Sequence, residues 1–159
     1  MADMRGIDID WFHGDRHLLR PLMRLAEDSE SELSSYLGRG EVLVARRDGQ
    51  LVGQLLLTPT GEPEELEVKN MAVAEDHQGQ GIGRALLVRA AEECRARGLR
   101  RLLVATAAAS IGNLRFYQRA GFRMLRVERD AFGAHTGYAP GLSLDGIPLV
   151  DRIWFDREL

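Results

Sequence analysis

The sequence contains almost no cysteine: Cys94 is the only one among 159 residues, so no disulfide can form within the chain. It has no apolar run long enough to span a bilayer, and its first residues lack the apolar stretch of a secretory signal. It also lacks the His and Cys spacing typical of metal sites, so no metal is expected. We therefore expect a soluble, cytoplasmic protein without a membrane partner.

Lysine is nearly absent as well: of the 21 Lys and Arg side chains, only Lys69 is a lysine. The formal net charge of −3 argues against an extended phosphate-binding surface, so nucleic acid is not an expected partner. A hydrophobic content of 45% suits one compact domain over residues 1–159. The sequence leaves the oligomeric state, monomer or homodimer, open.

Residues 78–83 read Gln-Gly-Gln-Gly-Ile-Gly and lie between a predicted strand and a helix that opens at Ile82. Three alternate glycines let the backbone approach a ligand with its N–H groups, and the helix start adds partial positive charge. Arg84 replaces the last glycine of a dinucleotide fingerprint, and the Lys-Ser/Thr pair of a P-loop is missing. The segment predicts a diphosphate cradle, with an ordinary tight turn as the alternative.

Hydrophobic periodicity predicts an α/β fold with a mixed central sheet of about six to seven strands flanked by helices. Asp48-Gly49 is typical of a two-residue hairpin, and Ser110 is a candidate helix cap. The long segment 131–148 is predicted to be a functional loop. Strands are expected at 7–12, 41–47, 50–58, 64–74, 100–106, 122–130 and 148–156, and helices at about 15–27, 29–37, 82–97 and 110–120.

The strand over 64–74 changes its side-chain alternation partway along. Leu66 and Val68 occupy even positions, whereas the next apolar pair, Met71 and Val73, is odd. An extra residue near Lys69 and Asn70 would return both pairs to the core side, so we predict a β-bulge there. Such a bulge leaves backbone groups free to bind a ligand.

The glycine loop and a second motif, NLRFYQRAGF at 113–122, together resemble the GCN5-related N-acetyltransferase (GNAT) superfamily. The family's cofactor loop is Gln/Arg-x-x-Gly-x-Gly/Ala, and its later helix often carries Asn and Phe-Tyr ahead of Gly-Phe. The resemblance is strongest over residues 67–122. It implies the acyl-CoA N-acyltransferase fold, acetyl-CoA as cofactor, and a bulge that splays two parallel strands to admit the pantetheine arm.

By this resemblance, the backbone N–H of Met71 would bind the thioester oxygen and Val73 would bind the pantetheine. The glycine loop would hold the diphosphate, with a charged contact from the Arg84 side chain. The cofactor-binding residues so implied are Met71, Ala72, Val73, Gln78, Gly79, Gln80, Gly81, Ile82, Gly83, Arg84, Asn113 and Phe116.

Two side chains are candidates for catalysis. Glu67 precedes Gln78 by eleven positions, where many family members place a catalytic or water-positioning glutamate. Lys69 shares its strand face and would lower its proton affinity, so Glu67 is a weaker base, a cation-binding group or a solvated strand residue. Tyr117 is the expected proton donor to the departing thiolate, and simple aromatic packing beside Phe116 is its alternative.

Acceptor binding is the least defined part of the sequence. Lys69, and His135 and Tyr138 of the late loop, are candidate acceptor contacts. The predicted reaction is transfer of acetyl from acetyl-CoA to the primary amine of a small molecule by direct attack. The alternatives are a non-catalytic acyl-CoA sensor and a protein or peptide N-acetyltransferase.

Overall fold

The computed structural model describes residues 4–159, and residues 1–3, the start of the predicted domain, lie outside the described residues. Over residues 4–159 seven strands form one twisted sheet: β1 (Ile7–Trp11), β2 (Glu41–Arg47), β3 (Gln50–Pro59), β4 (Glu65–Val73), β5 (Arg101–Ala107), β6 (Arg123–Glu128) and β9 (Arg152–Glu158). Their order across the sheet is β1-β2-β3-β4-β5-β9-β6. A separate hairpin pairs β7 (Ser143–Leu144) with β8 (Ile147–Pro148).

Four α-helices flank this sheet within the described residues: α1 (Arg20–Arg24), α2 (Glu30–Tyr36), α3 (Ile82–Ala96) and α4 (Ile111–Arg119). Short 3-10 helices span Arg16–Leu19, Glu75–His77 and Ala134–Thr136. Among residues 4–159 no helix has the length and apolar character needed to cross a bilayer. The α/β prediction is confirmed.

Strand pairing is antiparallel throughout the described sheet except between β4 and β5, which run parallel. The mixed sheet is therefore confirmed. The β2–β3 hairpin turns at Asp48 and Gly49, whose φ angles of 49° and 86° are the positive values that a type I′ turn requires. The predicted hairpin is confirmed.

One hydrophobic core lies between the sheet and α3. The helical spacing of Ile82, Ala85, Leu86, Ala90 and Cys94 predicts an apolar stripe that packs on the sheet. Ala85 is half-buried, the other four are buried there, and Leu87 and Ala91 widen the stripe. Burial raises the pKa of the Cys94 thiol to about 11. Cys94, which is 1% exposed, is therefore a core residue.

A second core lies on the other face of the sheet, under α1 and α2. Met23 of α1 and Leu33 and Tyr36 of α2 pack there against strand residues that include Val44 and Leu56. Tyr36 is only 2% exposed, so its hydroxyl requires an internal partner. That partner belongs to the site described below.

The bulge in β4 is confirmed by the register of the β3–β4 pair. Leu56 lies opposite Asn70 and Leu57 lies opposite Val68, so Lys69 is the extra residue. The parallel pairing of β4 with β5 ends at the same place, at Val68 opposite Val104. The two strands then diverge, which is the predicted splaying of the sheet.

Two local predictions are wrong, and a third is confirmed only in part. The first helical segment ends at Arg24 rather than near residue 27, and the Met23 carbonyl there accepts from the Ala26 N–H (3.1 Å) and from the Asn70 side chain (3.1 Å). Ser110 occupies the N-cap position of α4 as predicted, but its side chain makes no capping hydrogen bond. The last strand of the sheet begins at Arg152, because Pro148 belongs to the β7–β8 hairpin.

We expect Leu86→Ala to lower the free energy of unfolding by about 2–5 kcal/mol, because Leu86 is fully buried between α3 and the sheet. Val88→Ala is the matched control, since Val88 lies on the exposed face of the same helix and should change stability by about 0.5 kcal/mol or less. Urea denaturation followed by circular dichroism measures both variants. Equal losses would contradict this placement of α3.

Candidate functional site

Two cavities meet where β4 leaves β5. The first, here called the loop cavity, has a volume of about 430 Å³. The second, the inner cavity, has a volume of about 250 Å³ and lies between the bulge, β5, β9 and the late loop. Both are lined by Leu25, Ala26, Met71, Asn113 and Tyr117, so they are continuous at these residues. The loop cavity is further lined by residues 72–73, 77–79 and 81–84 and by Gly112 and Phe116.

The glycine loop takes the conformation that its sequence predicts. Gly79 and Gly81 have φ angles of 75° and 88°, and Gly81 is the N-cap of α3. The free N–H groups of a 15-residue helix therefore point toward the loop cavity together with the loop backbone. This arrangement fits a diphosphate group.

The side chains of the two glutamines in this loop, Gln78 and Gln80, form hydrogen bonds that hold the loop in place, and of the two only Gln78 lines the loop cavity. Gln78 donates from Nε2 to the Val73 carbonyl (3.0 Å) and so ties the loop to β4. Gln80 accepts at Oε1 from Nη1 of Arg47 (2.7 Å) and is not among the residues that line the loop cavity. Gln80 is therefore the one predicted cofactor residue that the structure does not bring to this cavity.

Helix α4 closes the opposite wall of the loop cavity. A Cβ atom on Gly83 would lie 3.4 Å from Cζ of Phe116, so the missing side chain allows the Phe116 ring to approach α3. Asn113 donates from Nδ2 to Oγ1 of Thr106 (3.1 Å), which fixes α4 against the splayed end of β5. Asn113 and Phe116 thus both line the loop cavity.

Tyr117 lies at the junction of the two cavities and is only 6% exposed. Its ring packs edge-on against Phe116 and Phe122, with centroids 5.3 and 5.7 Å away. Burial raises the pKa of its hydroxyl well above the usual value near 10, so the phenol stays protonated at neutral pH. Tyr117 therefore both packs against neighbouring aromatic rings and lines the candidate site.

Glu67 lines the inner cavity beside the bulge. Its Oε2 lies 3.9 Å from Nζ of Lys69, so the predicted pair is confirmed. Burial raises the pKa of Glu67 above its ordinary value, although Lys69 and Arg152 each lower it. Lys69 lowers the Glu67 pKa as expected, but the expectation of a weaker base is wrong in its net direction, because burial outweighs Lys69, Arg152 and Arg39.

A chain of buried hydrogen bonds connects the bulge to the late loop. Gln54 donates to Oδ1 of Asn70 (2.6 Å), and Nδ2 of Asn70 donates to the Tyr36 hydroxyl (2.9 Å). The Tyr36 hydroxyl donates to Oε1 of Glu27 (3.1 Å), and the Tyr138 hydroxyl donates to Oε2 of the same carboxylate (2.6 Å). The late loop is therefore tied to the segment between α1 and α2.

The two candidate acceptor contacts of the late loop have different positions. Tyr138 lines the inner cavity, but its hydroxyl is already bound to Glu27. His135 is exposed on a 3-10 helix and is not among the residues that line either cavity. The structure brings Tyr138 to the site and leaves His135 outside it.

Sequence reasoning missed several residues of the inner cavity. Glu27 lies in an irregular segment, and nothing in its neighbourhood resembles a motif. Arg152 and Trp154 both bind Oε2 of Glu128, at 2.9 and 3.1 Å. Arg152 and Trp154 are two positions apart in β9 and so lie on the same face of the strand. This spacing could have indicated that their side chains bind the same group. Within residues 4–159 no group of three or more His, Cys, Asp or Glu side chains is arranged to hold a metal ion.

Comparisons with known proteins agree with this geometry. A model of the Acetyltransferase (GNAT) family matches residues 9–122. An uncharacterized N-acetyltransferase of Bacillus subtilis (strain 168) is 33% identical over 135 residues, which is 85% of each chain.

Two solved structures match almost the whole chain. IAA acetyltransferase from Bacillus cereus ATCC 14579 is 34% identical with a TM-score of 0.86, over 96% of this chain and 99% of that one. A GNAT family acetyltransferase from Elizabethkingia anophelis, solved with acetyl-CoA bound, is 30% identical with a TM-score of 0.88, over 98% and 99% of the two chains.

We expect Glu67→Gln to raise the free energy of unfolding at about pH 8, because it removes a buried charge. The folded chain holds the Glu67 proton at pH values where the unfolded chain, with a pKa of about 4.3, has lost it. The destabilisation by the charge is complete above the raised pKa and declines as the pH falls toward about 4.3. Urea denaturation should therefore show a stability gap between variant and wild type that narrows from about pH 8 to about pH 5.

Glu128→Gln is the matched control with the opposite sign. Burial raises the pKa of Glu128, but hydrogen bonds from Trp154 and Arg152 outweigh burial and lower it overall. The Glu128 charge therefore stabilises the fold at neutral pH, and its contribution should stay constant between about pH 8 and about pH 5. A Glu67→Gln variant that is less stable than wild type at about pH 8 would contradict the electrostatics described here.

Proposed function

The chain belongs to the acetyltransferase (GNAT) family, and on that premise we propose that it transfers acetyl from acetyl-CoA to the primary amine of a small molecule by direct attack. Membership makes it an acyltransferase that uses acetyl-CoA. Because an acyltransferase turns its cofactor over, the non-catalytic sensor is no longer a candidate. The remaining alternative concerns the acceptor, a small molecule or a polypeptide.

The observation that carries the proposal is the continuity of the two cavities at Met71, Asn113 and Tyr117. The loop cavity begins at the glycine loop and reaches the bulge, so it has the course that a diphosphate followed by a long flexible arm would need. The inner cavity reaches the same three residues from the side of Glu67. A thioester and an amine held in the two cavities would therefore meet at the junction.

In this proposal the backbone holds the cofactor. The N–H groups of Gly79, Gly81, Gly83 and Arg84 bind the diphosphate, and the N-terminus of α3 adds favourable charge. The Met71 N–H binds the thioester oxygen and stabilises the negative charge that develops there. When bound, acetyl-CoA supplies the activated acetyl group.

Side chains move the protons. Glu67 accepts the proton of the attacking amine, directly or through a water molecule, and its raised pKa makes it a stronger base than an ordinary carboxylate. Tyr117 donates its proton to the departing thiolate, since a phenol is protonated at neutral pH. Burial raises its pKa and weakens it as an acid, so the transfer requires that the thiolate in the same buried site is the stronger base. Both side chains line the inner cavity, so a short proton path is available to the reacting groups.

A small acceptor is favoured by the small volume of the inner cavity. Its volume of about 250 Å³ lies at or below the lower end of typical ligand sites, and the late loop covers it through the Tyr138–Glu27 bond. A polypeptide would need an open groove along this face. The Bacillus cereus neighbour is also named for IAA and not for a protein acceptor.

We expect Tyr117→Phe to lower kcat about 10²-fold while the thermal stabilisation by acetyl-CoA persists, because the ring still packs and only the proton donor is lost. Release of free thiol from acetyl-CoA with a panel of primary amines measures kcat. Binding is checked separately, since ligand at 100 times its Kd stabilises a protein by about 2.7 kcal/mol.

An unchanged kcat would remove Tyr117 from the mechanism. Thiol release that depends on no small amine, together with a mass increase in an added polypeptide, would replace the small acceptor by a protein acceptor. Intact mass measurement distinguishes these results.

A further inference from the structure

Lys69 occupies an unusual place for the chain's single lysine. As the extra residue of the bulge it lines the inner cavity, and its side chain is 31% exposed. Its Nζ lies 3.9 Å from Oε2 of Glu67 and 5.2 Å from the centre of the Tyr36 ring. Since 3.9 Å exceeds hydrogen-bond distance, the carboxylate attracts the amine without fixing it.

Arg152, the other cation of the inner cavity, differs from Lys69 in how firmly its side chain is held and in its chemistry. It is held at 2.9 Å by Glu128, and its guanidinium stacks 4.8 Å from the centre of the Phe132 ring. A guanidinium also stays protonated in proteins, whereas a lysine amine can lose its proton and become a nucleophile. Lys69 is therefore the side chain of the inner cavity that combines an amine with freedom to move.

We propose that Lys69 is itself an acetylation site, and that its amine takes the acetyl group when no external amine occupies the inner cavity. The proposal rests on the proposed function, because it uses the same thioester and the same proton-transfer groups. What it adds is a covalent modification of the chain at a defined atom, Nζ of Lys69.

The reach of the side chain supports this assignment. Residues two apart in a strand are separated by about 6–7 Å, and a bulge shortens that span locally. The flexible four-carbon stem of lysine covers a similar length, so Nζ of Lys69 can reach the space beside the Met71 N–H. That N–H is the group proposed to hold the thioester oxygen.

The reaction balances without a further reagent. The Lys69 ammonium first gives a proton to Glu67 or to water, and the neutral amine attacks the thioester carbonyl carbon. A C–N bond forms and the C–S bond breaks, the nitrogen loses its second proton to whichever of water and Glu67 did not take the first, and the thiolate takes a proton from Tyr117. Tyr117 regains a proton from Glu67 or water, so that one proton in total is released to solvent. The products are an Nε-acetyl-lysine and free coenzyme A.

Acetylation would change the inner cavity in two ways. It removes the positive charge beside Glu67, and it adds an amide group within a space of about 250 Å³. External amines would then compete with the modified side chain for the same position. A saturating external amine should likewise protect Lys69 from modification.

Mass spectrometry tests the proposal directly. The purified full chain is incubated with acetyl-CoA in the absence of any amine, and we expect the mass of one acetyl group to appear on the peptide that contains Lys69. Lys69→Arg keeps the charge and should gain no acetyl group at residue 69. Tyr117→Phe should slow the modification about 10²-fold, as it slows transfer to an external amine.

Two controls separate catalysis from simple chemical acetylation. The urea-unfolded chain, exposed to the same acetyl-CoA, should be modified at Lys69 at least about 10²-fold more slowly than the folded chain. A saturating amine substrate should suppress the modification of the folded chain. Equal rates in folded and unfolded chains, or no protection by the amine, would overturn the proposal.

The outcomes also distinguish this inference from the proposed function. If added amines are acetylated while Lys69 stays unmodified, the self-acetylation proposal is wrong and the proposed function stands. If neither added amines nor Lys69 accept acetyl, the proposed function itself fails. A mass gain that persists in Lys69→Arg places the modification elsewhere and overturns the assignment to Lys69.

Discussion

One extra residue in β4 is the constraint on which the rest of this structure depends. Because Lys69 is inserted into the strand, Leu66 and Val68 pack into the same core as Met71 and Val73. The parallel pairing with β5 ends at Val68, and the space that opens beyond it joins the two cavities. Without the insertion, continuous alternation would turn one of the two apolar pairs away from the core. The hydrophobic pattern therefore requires the same irregularity that the site requires.

The site lowers the stability of the fold around it. Burial raises the pKa of Glu67, which means that its charge is unfavourable in the folded chain. Gln54 is completely buried, and its Oε1 finds no hydrogen-bond partner within residues 4–159. The compensating contacts are the hydrogen bonds from Asn70 through Tyr36 to Glu27, which connect the bulge to α1, α2 and the late loop. Polar groups of this kind specify one arrangement of neighbouring segments when most of their partners are present.

The parts of the fold that follow from local pattern were predictable from the sequence. The α3 stripe, the Asp48-Gly49 turn, the bulge and the glycine loop each depend on residues close together in the chain, and each lies where the sequence predicts it. The errors share a different cause. Near the end of α1, the Met23 carbonyl is bound by Asn70 from 47 positions away, and Glu27 joins the site through Tyr138, 111 positions away. The direction of the Glu67 pKa shift likewise depends on burial by distant segments. The sequence shows that Lys69 is nearby, but it does not show that burial.

The junction at Met71, Asn113 and Tyr117 has a kinetic consequence. The loop cavity and the inner cavity are bounded by different segments beyond their shared residues, so in the proposed reaction acyl donor and acyl acceptor would approach the junction by separate routes. Neither molecule has to leave before the other arrives, and both can be present at once. Such an architecture suits the proposed reaction, because a ternary complex could form in either order.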